Sequence, residues 1–270
     1  MYYSFYQKKT LDYFFQKIKV GKKNNKKNDI QRLNLKGKIK SYKVISSKEN
    51  LNVIEEIIFD KKGNFITYSK KDECKIYNYK EDSKLSSCET FIDDKLILTE
   101  FFKYDQKGKL VSKKIFEEIN IQNNCTEYYE YDLRENITAI IKQYDLDDVV
   151  QTNKYNKSGS LTDSFYFTNK KYEGCICVKI KNTFGGKIKS ITSLSSENDT
   201  LIRRELTLNE KGDVISELFY NVFKYQFDYN PTSTFQFIYK YDKFENWITR
   251  SEYFNGDLKE ELTTEIEYFK

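Results

Sequence analysis

The stretch "FDKKGNF", residues 59 to 65, has the sequence of a tight turn between two strands. The Asp60 side chain can accept hydrogen bonds from the backbone N–H groups that follow it, which starts a type I turn. Gly63 can then take the left-handed conformation that closes a hairpin with a bulge, where residues with a Cβ atom lose roughly 1–2 kcal/mol. The stretch therefore predicts a β-hairpin.

The same pattern recurs along the chain: a large apolar residue, Asn or Asp, two free residues, Gly, a polar residue and a second large apolar residue. Complete copies are "LNLKGKI" at residue 33, "YDQKGKL" at 104, "YNKSGSL" at 155 and "LNEKGDV" at 208. Looser copies are "YKEDSKL" at 79, "YDLRENI" at 131, "NTFGGKI" at 182 and "YDKFENW" at 241. The glycine positions recur at about 25 residues, which is typical of a tandem repeat.

Three of the looser copies have another residue at the glycine position, namely Ser83, Glu135 and Glu245. In two of them an Asn follows, Asn136 or Asn246. Asn tolerates the left-handed conformation better than most residues. We therefore predict that these two turns are shifted by one residue.

A second set of turn signals lies roughly midway between these turns. They are "SSKEN" at 46, "KKDE" at 70, "IDDK" at 92, "DLDD" at 145, "SSEND" at 195 and "FNGD" at 254. Alternating apolar and charged residues between the turns indicate strands with one polar side. One face is predicted to hold Leu258, Glu260, Leu262, Thr264, Ile266 and Tyr268, and another Leu96, Leu98, Phe102 and Tyr104.

Each unit of about 25 residues thus contains two strands, which predicts about 16 to 18 antiparallel strands in one meander. A flat sheet of that size would be roughly 80 Å wide, and open twisted sheets rarely exceed about ten strands. The predicted fold class is therefore all-β: tandem β-hairpin repeats in one long, strongly curved meander sheet, as an open shell or a large barrel. A single Pro and 16% aromatic residues agree with it.

The beginning of the chain differs from the repeats. Leu11, Phe14, Phe15 and Ile18 have helical spacing and Thr10 can act as a cap, so residues 5–19 are predicted to form a helix that covers a sheet edge or plugs the open end. "GKKNNKKND", residues 21–29, is interpreted as a solvated linker. The predicted organisation is an N-terminal helix and basic linker at 1–30 and a single β-hairpin repeat domain at 31–270.

The sequence lacks the residues that several classes of catalysis require. The chain has no His, which removes the commonest general base and metal ligand. The glycines of "FGGKIKS" at 184 fall in a predicted hairpin, not in a phosphate-binding turn before a helix. The remaining candidates for acid–base work are the adjacent carboxylates Asp93–Asp94, Asp147–Asp148 and Glu117–Glu118, but neighbours on a strand point to opposite faces and Asp is common in turns. We predict no enzymatic activity.

The five cysteines have no recurring spacing, so they predict no disulfide framework. Cys175 and Cys177 would share one face of a strand, as a metal pair or, in the interpretation we prefer, as small buried side chains. We predict no metal site and no cofactor. The N-terminus resembles no signal peptide and no stretch reaches about 18 apolar residues, so we expect no membrane span and a cytoplasmic location, with a non-classical export route left open.

Two features are candidates for binding, although no individual binding residue is assigned. The first is a lysine run: Lys17, Lys19, Lys22, Lys23, Lys26 and Lys27. It can attract phosphates or an anionic membrane face, or serve as a solvated linker. The second is a concentration of aromatic residues: Tyr220, Phe223, Tyr225, Phe227, Tyr229, Phe235, Phe237, Tyr239 and Tyr241. These can stabilise paired strands or line a groove for a sugar or a partner loop.

The turn sequence resembles that of the YD-repeat (Rhs-type) proteins of bacteria. The residues that carry the resemblance are Phe59-Asp60…Gly63-Asn64, Tyr104-Asp105…Gly108-Lys109 and Tyr241-Asp242…Asn246-Trp247. Members of that family build long spiralling sheets that enclose a cargo, or act at cell surfaces and in toxin delivery. The predicted function is a non-enzymatic protein-interaction module, and the resemblance implies its setting: a bacterial effector, an effector inhibitor or an adaptor. The alternative is a carbohydrate- or nucleic-acid-binding sheet that uses surface aromatics and Lys; the net charge of +5 does not favour nucleic acid.

Overall fold

The computed structural model describes residues 28–48, 52–145, 147–158, 160–169, 171–183, 186–195, 200–220, 222–223, 226–227 and 231–270. The helix predicted at residues 5–19 and the lysine run at 17–27 lie outside these residues. A short helix, α1, spans Asp29–Arg32, and a 3₁₀ turn spans Ile121–Asn123. The strands are β1 (Ile39–Ser46), β2 (Val53–Phe59), β3 (Phe65–Lys70), β4 (Glu73–Tyr79), β5 (Leu85–Ile92), β6 (Lys95–Tyr104), β7 (Leu110–Glu117), β8 (Cys125–Tyr131), β9 (Ile137–Gln143), β10 (Asp148–Tyr155), β11 (Leu161–Thr168), β12 (Lys171–Thr183), β13 (Gly186–Ser195), β14 (Thr200–Leu208), β15 (Val214–Tyr220), β16 (Val222–Phe223), β17 (Gln226–Phe227), β18 (Ser233–Tyr241), β19 (Trp247–Phe254) and β20 (Asp257–Tyr268).

Eighteen of these strands form one antiparallel sheet in which each strand pairs with its neighbours in the chain, while β16 and β17 pair separately. Tyr42 of β1 lies opposite Ile57 of β2 on one side and opposite Ile266 of β20 on the other. Because the first and last strands are paired, the sheet closes into a barrel-like ring. The all-β curved meander predicted from the sequence is confirmed.

One turn geometry is repeated along one end of the ring, which we call the glycine-turn end. In the turn after β2, Asp60 N–H donates to the carbonyl of Asn64 at 2.9 Å, and Gly63 N–H donates to the carbonyl of Asp60 at 3.0 Å. The Asp60 carboxylate also accepts the backbone N–H of Asn64 at 2.9 Å. The first-to-fifth backbone bond recurs in the turns that begin at residues 80, 105, 132, 156, 209 and 242. The predicted hairpin turn is therefore the structural unit of the repeat.

The predicted one-residue shift of two turns is wrong. Glu135 and Glu245 themselves take the left-handed conformation, with φ of 66° and 65°, and Ser83 does the same with φ of 63°. In the first turn the amide and the backbone N–H of Asn136 both donate to the Asp132 carboxylate at 2.8 Å. In the second the Asp242 carboxylate accepts the backbone N–H of Asn246 at 2.9 Å, and the Asn246 amide donates to the Lys36 carbonyl at 2.8 Å. These hydrogen bonds keep Asn at the fifth position of the turn, so the residue before it must accept the strain.

At the opposite end of the ring, several strands are joined by two-residue turns. Asp93 and Asp94 have φ of 50° and 60°, and Asn255 and Gly256 have φ of 50° and 94°. A β-bulge beside each of these two turns moves one leucine off its predicted face. The pairing steps from Glu260 to Leu258 along β20, and Leu258 is 56% exposed although Leu262 is 4% exposed. The second displaced residue, Leu96, belongs to the surface described below.

The segment from Asn28 to Lys38 packs against the glycine-turn end. Asn28 caps α1 by accepting the Gln31 N–H at 3.0 Å, and its amide donates to the Lys62 carbonyl at 2.7 Å. Asp29 accepts the Phe65 N–H at 2.9 Å and the Tyr79 hydroxyl at 3.1 Å. The main apolar cluster forms below these contacts and comprises Ile30, Leu35, Ile39, Tyr42, Val44, Ile57, Phe59 and Leu262. The segment that precedes β1 and the main apolar cluster are thus held together at this end.

Candidate functional site

The two faces of the closed sheet differ in burial. Along β6, Glu100, Phe102 and Tyr104 are half-buried, whereas Phe101 and Lys103 between them are exposed. Strand pairing carries the more buried face around the ring, and it includes the residues of the main apolar cluster on β1, β2 and β20. Because a closed sheet has one face turned inward, we call this the inner face and the other the outer face.

Aromatic side chains cover the inner face of β15, β18 and β19. We call this surface the aromatic wall, and it consists of Phe219, Phe235, Phe237, Tyr239, Tyr241, Trp247 and Phe254. Its ring centroids lie 4.9 Å apart for Phe235 and Phe254, 5.8 Å for Phe219 and Phe235, and 6.0 Å for Tyr239 and Tyr241. The predicted row at 235–241 therefore does share one face. Tyr225 and Tyr229 lie outside the described residues.

Two arginines stand against the aromatic wall. The Arg250 guanidinium lies 5.4 Å from the Trp247 ring centroid and 5.8 Å from that of Phe237, and it forms an ion pair with Glu252. Its Nε atom is buried and has no hydrogen-bond partner among the residues that the structure describes. Arg204 lies 4.7 Å from the Phe219 ring and is paired with Glu217, on the neighbouring strand. The wall thus combines flat apolar surfaces with donor groups.

A buried ion cluster lies on the other side of the ring, across β6 to β9. Glu127 is fully buried, and its carboxylate lies 3.2 Å from the Lys113 ammonium and 2.9 Å from that of Lys142. Lys113 also reaches Glu100 at 2.7 Å, and the Tyr129 hydroxyl donates to Glu127. The charges satisfy one another, so the cluster is a structural network and leaves no charge of one sign in excess.

The tyrosine hydroxyls near the glycine-turn end are also structural. Tyr131 donates to the carbonyl of Leu110 at 2.8 Å, and Tyr155 donates to the carbonyl of Ile137 at 2.8 Å, so each ties its own turn to the preceding one. Burial raises the pKa of both hydroxyls to about 12. They therefore stay protonated near neutral pH and are poorly suited to act as bases or nucleophiles.

The outer face carries an exposed surface that the sequence analysis did not single out. We call it the apolar patch, and it consists of Leu96, Phe101, Phe116, Ile119 and Ile121, which are 36%, 49%, 41%, 77% and 72% exposed. The rings of Phe101 and Phe116 meet edge to face with centroids 5.9 Å apart. Glu118 N–H donates to the Ile97 carbonyl at 3.0 Å and holds the loop beside β6.

A bulge explains why the sequence missed Leu96. Simple alternation places Leu96 on the face of Leu98, but the pairing steps from Leu98 to Leu96 as the partner steps from Thr90 to Phe91. The extra residue, Ile97, reverses the direction of Leu96 and adds it to the outer face. The adjacent residues Phe101 and Phe102 do indicate an outward-facing aromatic side chain in the sequence, because one of two neighbouring aromatics on a strand must face outward.

The carboxylate pairs predicted as the last candidates for acid–base work lie at the end opposite the glycine turns and are occupied by turn contacts. Asp93 and Asp94 form a two-residue turn. Asp147 accepts the Asn169 amide at 2.6 Å, and Glu117 accepts the Asn123 amide at 2.8 Å. Each set therefore has a structural role in its own loop.

The structure describes only part of the cysteine pair Cys175 and Cys177 and of the glycine stretch at residue 184. Cys175 is buried in β12 with 6% exposure, and the side chain of Cys177 lies outside the described part of the chain. Within the described ranges no group of three or more acidic or cysteine side chains is arranged to hold a metal ion. The "FGGKIKS" stretch begins at Phe184 and Gly185, which are outside the described residues, and continues into strand β13.

In the described part of the chain, no helix combines the length and hydropathy needed to cross a membrane.

No family model matches this chain. No curated protein matches it either. Among solved structures it is similar to a porin-like protein from Bacteroides uniformis, with 10% identity over 85% of this chain and 96% of that chain and a TM-score of 0.46. It is also similar to a porin-like protein from Bacteroides vulgatus (11% identity, 86% and 99% of the two chains, TM-score 0.27) and to a TcdB2-TccC3-Cdc42 structure (9% identity, 79% and 16%, TM-score 0.22). These similarities are too distant to assign a family.

Proposed function

We propose that this protein is a non-enzymatic protein-interaction module whose interface is the apolar patch. The observation that carries the proposal is the grouping of exposed large apolar side chains on the outer face of β6 and β7 and the loop after them. Contiguous exposed apolar surface is typical of binding sites, whereas singly scattered apolar residues are not. The absence of His from the sequence supports a role in binding over catalysis.

The composition of the patch suits a protein partner. Phe101 and Phe116 retain 49% and 41% of their surface, so a partner that covered them would gain about 1 kcal/mol from each ring. Aromatic anchors of this kind contribute a large share of the energy of interfaces. Asp93, Asp94 and Glu118 are exposed at the edge of the apolar patch and offer hydrogen-bond acceptors around its apolar centre. The settings implied by the turn sequence are an effector, an effector inhibitor or an adaptor in a bacterium.

The proposal is tested by affinity capture from native cells with three forms of the full chain. The first is unmodified, the second carries Phe101→Ser and Phe116→Ser, and the third carries Ile238→Ser. Ile238 is a matched control because it is 59% exposed and lies far from the patch, on β18. We expect a specific protein to be captured by the first and third forms and lost with the second. If all three forms capture the same proteins, the patch is not the interface.

A second candidate function is carbohydrate binding at the aromatic wall. It is favoured by the half-buried rings beside Arg250, whose buried Nε has no partner among the described residues. Sugars stack on such rings and use donors of this kind. Ion pairs such as Arg250–Glu252 and Arg204–Glu217 balance the charges there, which disfavours nucleic acid.

Trp247 is the only Trp of the chain and lies in the wall, so its fluorescence reports directly on a ligand there. We expect neutral oligosaccharides to change the emission in a saturable way if the wall binds them. Acrylamide quenching in the absence of sugar is the control for access of solutes to the ring. Accessible Trp247 with no saturable response to oligosaccharides would eliminate this candidate.

A further inference from the structure

A carboxylate without a hydrogen-bond partner lies on the inner face of β2. Glu55 is opposite Val44 of β1, which belongs to the main apolar cluster, so its side chain is directed into the ring. It is half-buried, and no hydrogen bond or ion pair to its carboxylate occurs within the described ranges. Burial raises the pKa of Glu55, and Lys70 and Arg250 oppose the rise. Buried carboxylates are usually paired, because burying an unpaired charge costs stability, so the position of Glu55 is unfavourable for the folded chain alone.

Two tyrosine hydroxyls stand beside this carboxylate. Tyr42 of β1 and Tyr68 of β3 lie opposite Ile57 of β2, one on each side, and Glu55 is two residues from Ile57 on the same face. Strand geometry places the backbone of each tyrosine about 8 Å from that of Glu55. Burial raises the pKa of both hydroxyls, and Glu55 raises both further. Tyr42 is 5% exposed, yet neither hydroxyl forms a hydrogen bond with a residue that the structure describes.

Arg250 approaches the same space from β19. Burial raises the pKa of Glu55 and of Tyr42, and the Arg250 guanidinium opposes both shifts, so it lies near both groups. The guanidinium is paired with Glu252, but its buried Nε has no partner in the described part of the chain. The Tyr42 ring meets Trp247 edge to face with centroids 6.0 Å apart, so the aromatic wall adjoins this space. We call Glu55, Tyr42, Tyr68 and Arg250 the Glu55 cluster.

The Glu55 cluster faces the end of the ring opposite the glycine turns. At the glycine-turn end the segment before β1 lies against the turns, where the Asn34 amide donates to the Lys211 carbonyl at 2.8 Å. Lys70 is the last residue of β3 at the opposite end and is exposed to solvent. The register of β2 and β3 places Lys70 beside Glu55. A small solute can therefore reach the cluster from the opposite end.

The chemistry of the Glu55 cluster suits a neutral ligand with several hydroxyl groups. Glu55 is an acceptor, Arg250 Nε is a donor, and the two tyrosine hydroxyls can act as either. The ionic groups are balanced, because Arg250 is paired with Glu252 and Lys70 stands beside Glu55. A simple cation would compete with the Lys70 ammonium, and a simple anion would be repelled by the carboxylate. The hydroxyl groups of a sugar both donate and accept, which matches this mixed set.

We propose that the Glu55 cluster binds a neutral mono- or disaccharide inside the ring. Glu55 accepts hydrogen bonds from two hydroxyl groups of the sugar, Arg250 Nε donates to a third, and the tyrosine hydroxyls complete the contacts. The proposal rests on the second candidate function, carbohydrate binding at the aromatic wall, and assigns the polar residues that give that site its specificity. It is independent of the apolar patch, which lies on the outer face.

The test is calorimetric titration of the full chain with glucose, galactose, mannose, maltose, cellobiose and lactose, and with glucuronate and glucosamine as charged counterparts. We expect saturable binding of at least one neutral sugar and weaker binding of the charged ones. Glu55→Gln should weaken that binding at least about tenfold, because hydrogen bonds to a charged acceptor are lost. Tyr68→Phe removes only a hydroxyl group and should weaken it about fivefold.

The matched controls make the same chemical changes on the outer face. Glu56→Gln removes the adjacent carboxylate of β2, which pairs with Lys43 at 3.1 Å, and Tyr128→Phe removes the hydroxyl of a residue that is 42% exposed. Both variants should keep full affinity. Without sugar, Glu55→Gln should keep or raise the urea midpoint, because it removes an unpaired carboxylate that is costly to bury. A lower midpoint would show that Glu55 stabilises the fold, and would overturn the proposal.

The remaining outcomes separate the proposal from the functions on which it does or does not depend. Sugar binding that Glu55→Gln leaves unchanged would place the ligand elsewhere on the aromatic wall, so the second candidate function would stand and the proposal would fall. Equal loss in Glu56→Gln, or preference for a charged sugar, would also overturn it. No saturable binding of any neutral sugar would eliminate both. None of these results bears on capture of a protein by the apolar patch.

Discussion

Replacing one glycine of the repeated turn with alanine should have a cost that depends on the turn. Gly63 and Gly212 have nearly equal φ, 83° and 88°, so the backbone strain of an alanine is the same. That strain is about 1–2 kcal/mol, and the lower entropy of the unfolded chain returns about 0.4–1 kcal/mol. At Gly212 no atom lies within 4 Å of an added Cβ, and the net loss should be about 1 kcal/mol.

At Gly63 the added Cβ would lie 2.8 Å from Cγ of Asn28 and 3.1 Å from Cδ1 of Ile30. Asn28 must move and lose its hydrogen bond to Lys62, and Ile30 must shift in the core, so the total loss should be about 2–3 kcal/mol. Urea unfolding measures both, with equal m-values as the condition for comparison. Equal losses at the two sites would refute the assigned role of Asn28, and no loss at Gly212 would refute the left-handed turn.

Three further predictions concern buried or hydrogen-bonded groups. Glu127→Gln should cost about 3–5 kcal/mol in urea unfolding, because it removes the fully buried carboxylate that pairs with Lys142 and leaves the buried Lys113 with Glu100 alone. Hydrogen bonds from Asn136 hold the pKa of Asp132 below its ordinary value, so its contribution to stability is present above the unfolded pKa and is lost as pH falls through the folded one. Asp132→Asn should therefore be less stable than the unmodified chain at neutral pH, because it lacks the charge and one of the two acceptor oxygens, and should lose less stability between about pH 4 and pH 2. Burial raises the pKa of the Cys88 thiol to about 12, so in the folded protein it should not react with iodoacetamide near pH 8, as followed by mass spectrometry.

The first two of these predictions have an internal control. Glu267→Gln removes one partner of an exposed pair with Lys40 and should change stability little. If Glu127→Gln is equally mild, the cluster is not buried in solution. Asn already stands at the equivalent turn position at Asn209, where its side chain accepts the Asp213 N–H at 2.9 Å. Asn can therefore support this turn, and equal stability of Asp132→Asn and the unmodified chain at every pH would show that ionised Asp132 makes no contribution.

The parts of the fold that depend on local sequence were predictable. The pattern of Asp60 and Gly63 determines a turn within five residues, so the copies of this pattern predict the positions of most of the strands. The predicted shift of the turn at Glu135 was wrong because Asn136, which favours the left-handed conformation, instead donates its side-chain amide to Asp132. Propensity and hydrogen bonding competed there, and the hydrogen bonds prevailed.

Features that depend on distant residues were not predictable in the same way. The pairing of β1 with β20 joins segments at opposite ends of the sequence, and no local pattern encodes it. The place of Leu96 in the apolar patch depends on the bulge at Ile97, which changes the direction of Leu96 without any glycine to mark it. The aromatic row on β18 was found because strict alternation holds from Phe235 to Tyr239. Alternation is a reliable guide only between bulges.

The pairing of the first strand with the last has a consequence for biosynthesis. While the ribosome is still making the chain, β1 has one partner and presents an open row of amide and carbonyl groups. That row is satisfied only when β20 has emerged, after all the strands between them have been translated. A product that ended before β20 would keep two unpaired strand edges, so closure of the ring and protection from self-association coincide in this protein.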